Sequence, residues 1–288
     1  MTNVTPWLSG IGLHSGLATH ARICIEDGPL RVRRVDGARS EAIVSLTSAR
    51  PIPRTSRIAL SDGRTVEMVE HIFAPLMASR RFRNLVVEVD GPEVPLLDGG
   101  ASQWSDALEA IRALEPQEPL QIVKPWCDEF EGMMLRLEPG EFQIAVTTDF
   151  RHHKLDARTT FWDGSWKSFR EHIAPARAFG FYSEARALWA AGRALGIDRR
   201  SLVVFDDEGK PDPTFAAPFP NEVHSHKLLD FIGDLALIGQ PITGRIEASK
   251  PGHSRTLHLL RAALRDGAFG AVARVPPQEV AKDHLVDR

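Results

Sequence analysis

The segment H-K-L-L-D-F-I-G-D at 226–234 sets a histidine and two aspartates at intervals of one helical turn, with a lysine next to the histidine. At about 100° per residue, His226, Asp230 and Asp234 share one face and Lys227 lies at its edge. A histidine and a carboxylate four residues apart on a helix stack closely enough to ligate one divalent metal, the geometry used by H-E-x-x-H sites. Leu228, Leu229, Phe231, Ile232, Leu235, Ala236 and Ile238 fill most of the remaining circumference, so apolar packing is expected around the helix. Two carboxylates and an imidazole in such a setting need a cation or hydrogen-bond partners, because unpaired buried charge is costly. A metal meets that need; a His/Asp hydrogen bond on a helix surface is the plainer alternative.

A second candidate pair is Glu70 and His71, within a stretch (65–78) whose Val66, Val69, Ile72, Phe73 and Met77 recur at helical spacing. Neighbours on a helix project about 100° apart, so one can ligate while the other reaches over the same site as a base. Pro75 removes the amide that would bond the His71 carbonyl, which predicts a kink or an early helix end. His14, in the glycine-punctuated turn S-G-I-G-L-H-S-G at 9–16, is a lone loop histidine with no partner in the local sequence.

The elements that must carry these groups read as two similar halves. The first has a hairpin over 18–34, short strand-like pieces over 42–60, the helix over 65–78, a strand over 84–90, a Pro/Gly-rich turn over 91–100 holding Asp98, and an amphipathic helix over about 102–114. The segment E-P-Q-E-P at 115–119 is the boundary, giving domains 1–116 and 119–288. The second half has strands over 120–124, 132–138 and 141–149, helices over about 168–176 and 183–194, and a strand over 200–205. The helix bearing His226 then runs to Ile238, with Gly239 suited to its C′ position and Pro241 preventing continuation. A strand over 242–249 leads to a helix over about 255–265, and the tail after Val275 is expected to be loosely held. The fold class is α+β, two layered α/β domains each with a sheet and helices.

The 288 residues suffice for one large domain or two of ordinary size. With 43% hydrophobic residues, 25% charged and a net charge of −3, the chain has no basic field to suggest nucleic acid. No secretory leader pattern is evident at the start, and no run of about 18 apolar residues occurs, so a cytoplasmic protein without a transmembrane segment is expected. Cys24 and Cys127 are far apart, outside any C-x-x-C pattern, so a metal must rely on histidine and carboxylate.

Six ordered blocks, S-G-I-G-L-H-S-G (9–16), V-E-H (69–71), P-E-V-P-L-L-D-G (92–99), A-R-A-F-G-F (176–181), H-K-L-L-D-F-I-G-D (226–234) and Gly252-His253, resemble the UDP-3-O-acyl-N-acetylglucosamine deacetylase family of lipid A synthesis. The resemblance implies an active site between two α/β domains of similar topology. It implies that His71, His226 and Asp230 ligate Zn2+, with Fe2+ compatible with the same donors, and that Glu70 is the general base. It further implies that His253 stabilises the oxyanion or protonates the leaving amine, with Asp234 as its carboxylate partner. Lys227 and Lys250 match positions near the nucleotide phosphates, and Phe179 and Phe181 match the sugar-nucleotide lining. The implied partner is an acylated UDP-sugar, with transient contact to membrane lipid products and a monomeric state.

The chain departs from that family at Ala178, where a threonine hydroxyl usually faces the oxyanion region, at Ser225, where arginine is common, and along the 196–222 connection. The segment 150–166 is expected to contribute to the acyl-chain passage. Two other readings stand beside the deacetylase: a divergent relative acting on another N-acyl sugar nucleotide, and a sugar-nucleotide-binding protein without turnover.

Overall fold

The computed structural model of the chain describes residues 3–111, 115–215 and 217–270. Its helices are α1 (Glu70–Ser79), α2 (Ser102–Ala110), α3 (Trp166–Ser168), α4 (Tyr182–Ala190), α5 (Glu222–Leu235) and α6 (His253–Arg265). Together with several sheets they make an α+β fold. One five-stranded sheet runs in the order Leu8–Ile11, Ala18–Pro29, Arg83–Asp90, Arg31–Arg34, Ser40–Ile43. A second runs Trp126–Phe130, Met133–Glu138, Arg245–Ser249, Gln143–Thr148, Arg158–Trp162. In both, the last strand in sequence enters the middle and pairs parallel to the third, while its other pairing and the two outer ones are antiparallel. The shared strand order is the internal repeat that the sequence shows only as similar grammar.

That topology overturns the hairpin expected over 18–34. Only Leu30 separates the two strands, too little for a two-residue hairpin turn, and Arg83–Asp90 lies between them. The inserted strand is almost wholly apolar through its centre, and Leu85, Val86, Val87 and Val89 are fully buried, the pattern of a strand covered on both faces. Arg33, next to it, is neutralised by Glu26, Glu41 and Glu88 at 2.6, 2.7 and 3.0 Å.

Other boundaries shift for local reasons. Thr65–Glu67 is a strand paired with Arg57–Ala59, and α1 starts only at Glu70, after Met68 takes a left-handed backbone with φ +59°. Pro75 neither ends α1 nor shortens it; the helix continues to Ser79 with Glu70 through Ala78 all buried. Packing on every side holds the turn that the proline leaves one hydrogen bond short. In place of a helix over 168–176, α3 passes into a π turn, Phe169–Ile173. The strand over 242–249 is broken at Gly244 into Ile242–Thr243 and Arg245–Ser249. Gly239 does end the His226 helix, after a 3₁₀ turn, in the left-handed conformation at φ +87°. The expected end of α2 over 112–114 and the tail after Val275 lie outside the described residues.

α1 and α5 cross in the interior, and a single apolar cluster joins Ile72, Phe73 and Leu76 of α1 to Leu228, Leu229, Phe231 and Ile232 of α5 and to both sheets. The polar side chains of these two helices therefore have almost no water to turn to, and the site lies where they meet.

Candidate active site

His71 on α1 and His226 and Asp230 on α5 are all buried, and one potential ligand atom from each lies within 4.8 Å of the others. Backbone carbonyls set both imidazoles. His71 Nδ1 donates to the Gly100 oxygen at 3.1 Å, and His226 Nδ1 to the Ala176 oxygen at 2.9 Å. That hydrogen bond fixes the tautomer and leaves each Nε2 lone pair available, the usual arrangement of metal-ligating histidines. His226 Nε2 stands 3.2 Å from Asp230 Oδ1, close to the edge of a tetrahedron with bonds of about 2.0–2.1 Å.

Two devices bring the carbonyls into place. Gly100 packs so tightly that a β-carbon there would lie 2.4 Å from the Ala174 oxygen, and backbone bonds from Ala101 to Ala174 and from Ala178 to Gly99 zip the two segments together. This explains the D-G-G turn at 98–100 better than flexibility does. Arg177, beside Ala176, is clamped to Glu222 at the start of α5 by its backbone N–H at 3.0 Å and its guanidinium at 2.7 and 2.9 Å. The clamp seats the Ala176 carbonyl against the first turns of the helix that carries His226.

Around these ligand-type residues sits a second set of charges. Glu70 is 1% exposed, with Oε1 accepting from the Thr55 hydroxyl at 2.8 Å and Oε2 from the Ser56 amide at 3.0 Å. His253, at the start of α6, donates Nδ1–H to Asp234 Oδ1 at 2.9 Å, which leaves Nε2 at 4.0 Å from Glu70 Oε1 and 3.8 Å from Asp230 Oδ2. Lys227 Nζ reaches Asp230 Oδ2 at 2.8 Å. Burial pushes the Glu70 carboxyl up to about 7, with Asp230 and Asp234 adding to the rise against His253. Burial works to discharge His253, but Asp234, Glu70 and Asp230 outweigh it and raise the imidazolium to about 9. Burial and the neighbouring His226 lower His71 to about 4, and burial also lowers His226, so both ligand-type imidazoles are neutral near pH 7. Burial would raise Asp230, yet His226, Lys227 and His253 hold it well below the usual carboxylate range.

Besides the ligand-type imidazoles, Lys227 and His253 are the basic side chains within 4.0 Å of the three buried acidic groups Glu70, Asp230 and Asp234 among the described residues. His71, His226 and Asp230 are a donor set that a divalent cation would fit, and such a cation would offset the buried acidic groups around it.

The group opens on a cavity of about 1510 Å³. Glu70, His71, His226, Lys227, Asp230, Lys250 and His253 all line it, as do Phe179 and Phe181; Asp234 lies behind His253 and does not. Phe179 meets His226 edge-on at 5.9 Å, and Phe181 stacks on His153 at 3.6 Å. Lys250 is half-exposed at the rim, 3.5 Å from Asp149. Of the segment 150–166, only residues 150–153 reach the cavity. Phe150 is part of its apolar wall, with Leu188 and Trp189 of α4 and Leu195, Ile197, Leu202 and Val204 further along the chain.

Two members of the site carry no signal in the sequence. Thr55 and Ser56 sit in a stretch that reads only as strand fragments, and a lone hydroxyl has no telling spacing. His14 reaches the cavity with neither ring nitrogen hydrogen-bonded, its backbone amide held by Glu93 at 2.9 Å. The glycine pattern marks its loop, but nothing in the sequence shows that Glu93 folds that loop over the site.

The sequence itself matches known proteins. A family model described as UDP-3-O-acyl N-acetylglycosamine deacetylase matches residues 4–265. The chain is 32% identical over 269 residues to the UDP-3-O-acyl-N-acetylglucosamine deacetylase of Myxococcus xanthus, covering 90% of this chain and 84% of that one. It is 32% identical over 270 residues to the protein of the same name from Neisseria meningitidis serogroup C / serotype 2a, covering 90% and 87%.

Proposed function

Because the chain belongs to the UDP-3-O-acyl N-acetylglycosamine deacetylase family, we propose that it removes the N-acetyl group of UDP-3-O-acyl-N-acetylglucosamine, the committed step of lipid A synthesis. His71, His226 and Asp230 would hold Zn2+, or Fe2+, which the same donors accept. When bound, such a cation supplies Lewis acidity to the amide carbonyl and makes a water easier to deprotonate. Glu70 takes a proton from the attacking water; its rise toward neutrality suits a base that must later release that proton. The protonated His253 faces the same space, where it stabilises the developing oxyanion and gives Nε2–H to the departing amine. Asp234 keeps that imidazole charged and aimed. Acetate and the free amine leave, and the protons balance when Glu70 and His253 return to their starting states.

Lys227 and Lys250 would meet the diphosphate, and Phe179 and Phe181 the sugar and nucleoside. Residues 1–116 and 119–288 are read as two domains contributing Glu70 with His71, and His226 through His253, respectively. The same reading has a monomer acting in the cytoplasm and meeting membrane lipid transiently through its product; no described helix is long and apolar enough to cross a membrane.

The observation that carries the proposal is the convergence of Glu70, His71, His226, Asp230 and His253 on one cavity wall. The test is acetate release from the acylated sugar nucleotide by the metal-loaded protein, compared with the nucleotide lacking the 3-O-acyl chain. Preference for the acylated compound is expected. Equal rates would favour the second reading, a relative acting on another N-acyl sugar nucleotide, for which Ala178 on the cavity wall is the motivating feature.

A further inference from the structure

Ser56 is 3% exposed and does not line the cavity, so it cannot touch a bound substrate. It nevertheless contacts both acid–base groups. Its hydroxyl donates to Asp234 Oδ1 at 2.5 Å, the oxygen that also accepts His253 Nδ1–H, and its Oγ lies 3.4 Å from that nitrogen. Its backbone amide donates to Glu70 Oε2, while the neighbouring Thr55 hydroxyl takes Glu70 Oε1 and accepts from the Met68 amide at 3.0 Å. Arg54 turns the chain into this position through a left-handed backbone, φ +73°.

We infer that Ser56 is a positioning residue for the deacetylation proposed above: it ties Asp234 to the loop that holds Glu70, and so fixes the aim of His253 relative to the base. Asp234 has two donors among the described residues, the Ser56 hydroxyl and His253, both on Oδ1. Without the hydroxyl, the imidazole alone would orient a carboxylate that is itself supposed to orient the imidazole. Asp234 and His253 would then turn together, and His253 Nε2 would lose its place between Glu70 and Asp230. Ser56 also spans the two halves of the chain, so the relative placement of the base from one half and the proton donor from the other depends on this residue as well as on helix packing.

The inference rests on the proposed reaction, and the experiment separates the two. In the metal-loaded protein, Ser56→Ala is expected to lower kcat about tenfold to a hundredfold, the range for losing one hydrogen bond to a charged group. KM is expected to stay within twofold, with metal content unchanged. Ser56→Cys, which keeps a γ-heteroatom and a weak donor, should fall between the two and is a second variant should the alanine protein misfold. In a His253→Ala background, Ser56→Ala should cause no further loss, because its effect passes through His253. Without substrate, the low-field proton resonance of His253 Nδ1–H, assigned by its disappearance in His253→Ala, should shift in Ser56→Ala. An active wild-type protein whose Ser56→Ala variant keeps kcat within twofold would overturn the inference. So would an equal loss with and without His253, or an unmoved resonance. A wild-type protein that releases no acetate would instead remove the proposed function, and the resonance would still report on Ser56.

Discussion

Gly233 on α5 lies flush against Glu70 on α1: a β-carbon built at 233 would stand 2.2 Å from the Glu70 carbonyl oxygen and 2.8 Å from its Cα. The residue between Ile232 and Asp234 is therefore small because another helix occupies the space a side chain would need. The spacing of the two helices sets the distance between Glu70 and the charged ridge of α5.

Gly233→Ala should separate the helices at that point. The methyl group meets backbone, which cannot rotate away, and overpacking of this kind costs about 1–3 kcal/mol, more than the ~1 kcal/mol that alanine gains over glycine in a helix. We expect a lower Tm in thermal denaturation and a fall in kcat larger than the stability loss alone explains. Unchanged Tm and kcat would mean that the crossing has slack.

Glu70→Ala should reduce turnover about 10²- to 10⁴-fold, the usual contribution of a positioned base, with the metal retained. Kinetics and elemental analysis on one preparation check both halves. Full activity would show that another group takes the proton.

The pH dependence comes from two shifts of opposite consequence. Glu70 works deprotonated, so the rate should climb as pH rises through the Glu70 value, about 7 without a cation. His253 works protonated, so the rate should fall as pH rises through the His253 value, about 9. A bound divalent cation favours the deprotonated form of each, moving both limbs downward. A bell-shaped profile of kcat/KM is expected, and loss of the alkaline limb in His253→Gln would assign that limb.

Stripping the protein with a chelator should abolish activity and lower Tm, because the charge opposing Glu70, Asp230 and Asp234 goes with the cation. Zinc at a hundred times its Kd should restore about 2.7 kcal/mol of stability. His226→Ala should lose both the metal, by elemental analysis, and the zinc-dependent rise in Tm. A chelator-insensitive Tm with full activity would refute the metal site.

Ala178 is buried in the cavity wall beside Phe179. If the site lacks one donor there, Ala178→Thr should raise kcat on the acylated nucleotide several-fold without altering KM. An unchanged rate would show that the oxyanion region is already satisfied.

The short-range part of this arrangement is legible in the chain alone. His226, Asp230 and Asp234 share a face because helix periodicity depends only on local backbone geometry, and the apolar residues around them announce a buried helix. Gly239 ends that helix for an equally local reason, the left-handed backbone its C′ position requires. The six ordered motifs add the family and the expected roles of Glu70, His71 and His253.

Tertiary structure decided everything that depends on segments distant in sequence. The Gly100 and Ala176 carbonyls aim two histidines from residues 29 and 50 positions away. Arg83–Asp90 displaces a hairpin that the sequence of 18–34 favours, because the sheet gains a doubly covered apolar strand at its centre. Ser56 reaches Asp234 across 178 residues. A hydroxyl, a carbonyl or a glycine carries no periodic signal for such encounters, since its partner is chosen by how the sheets and helices pack.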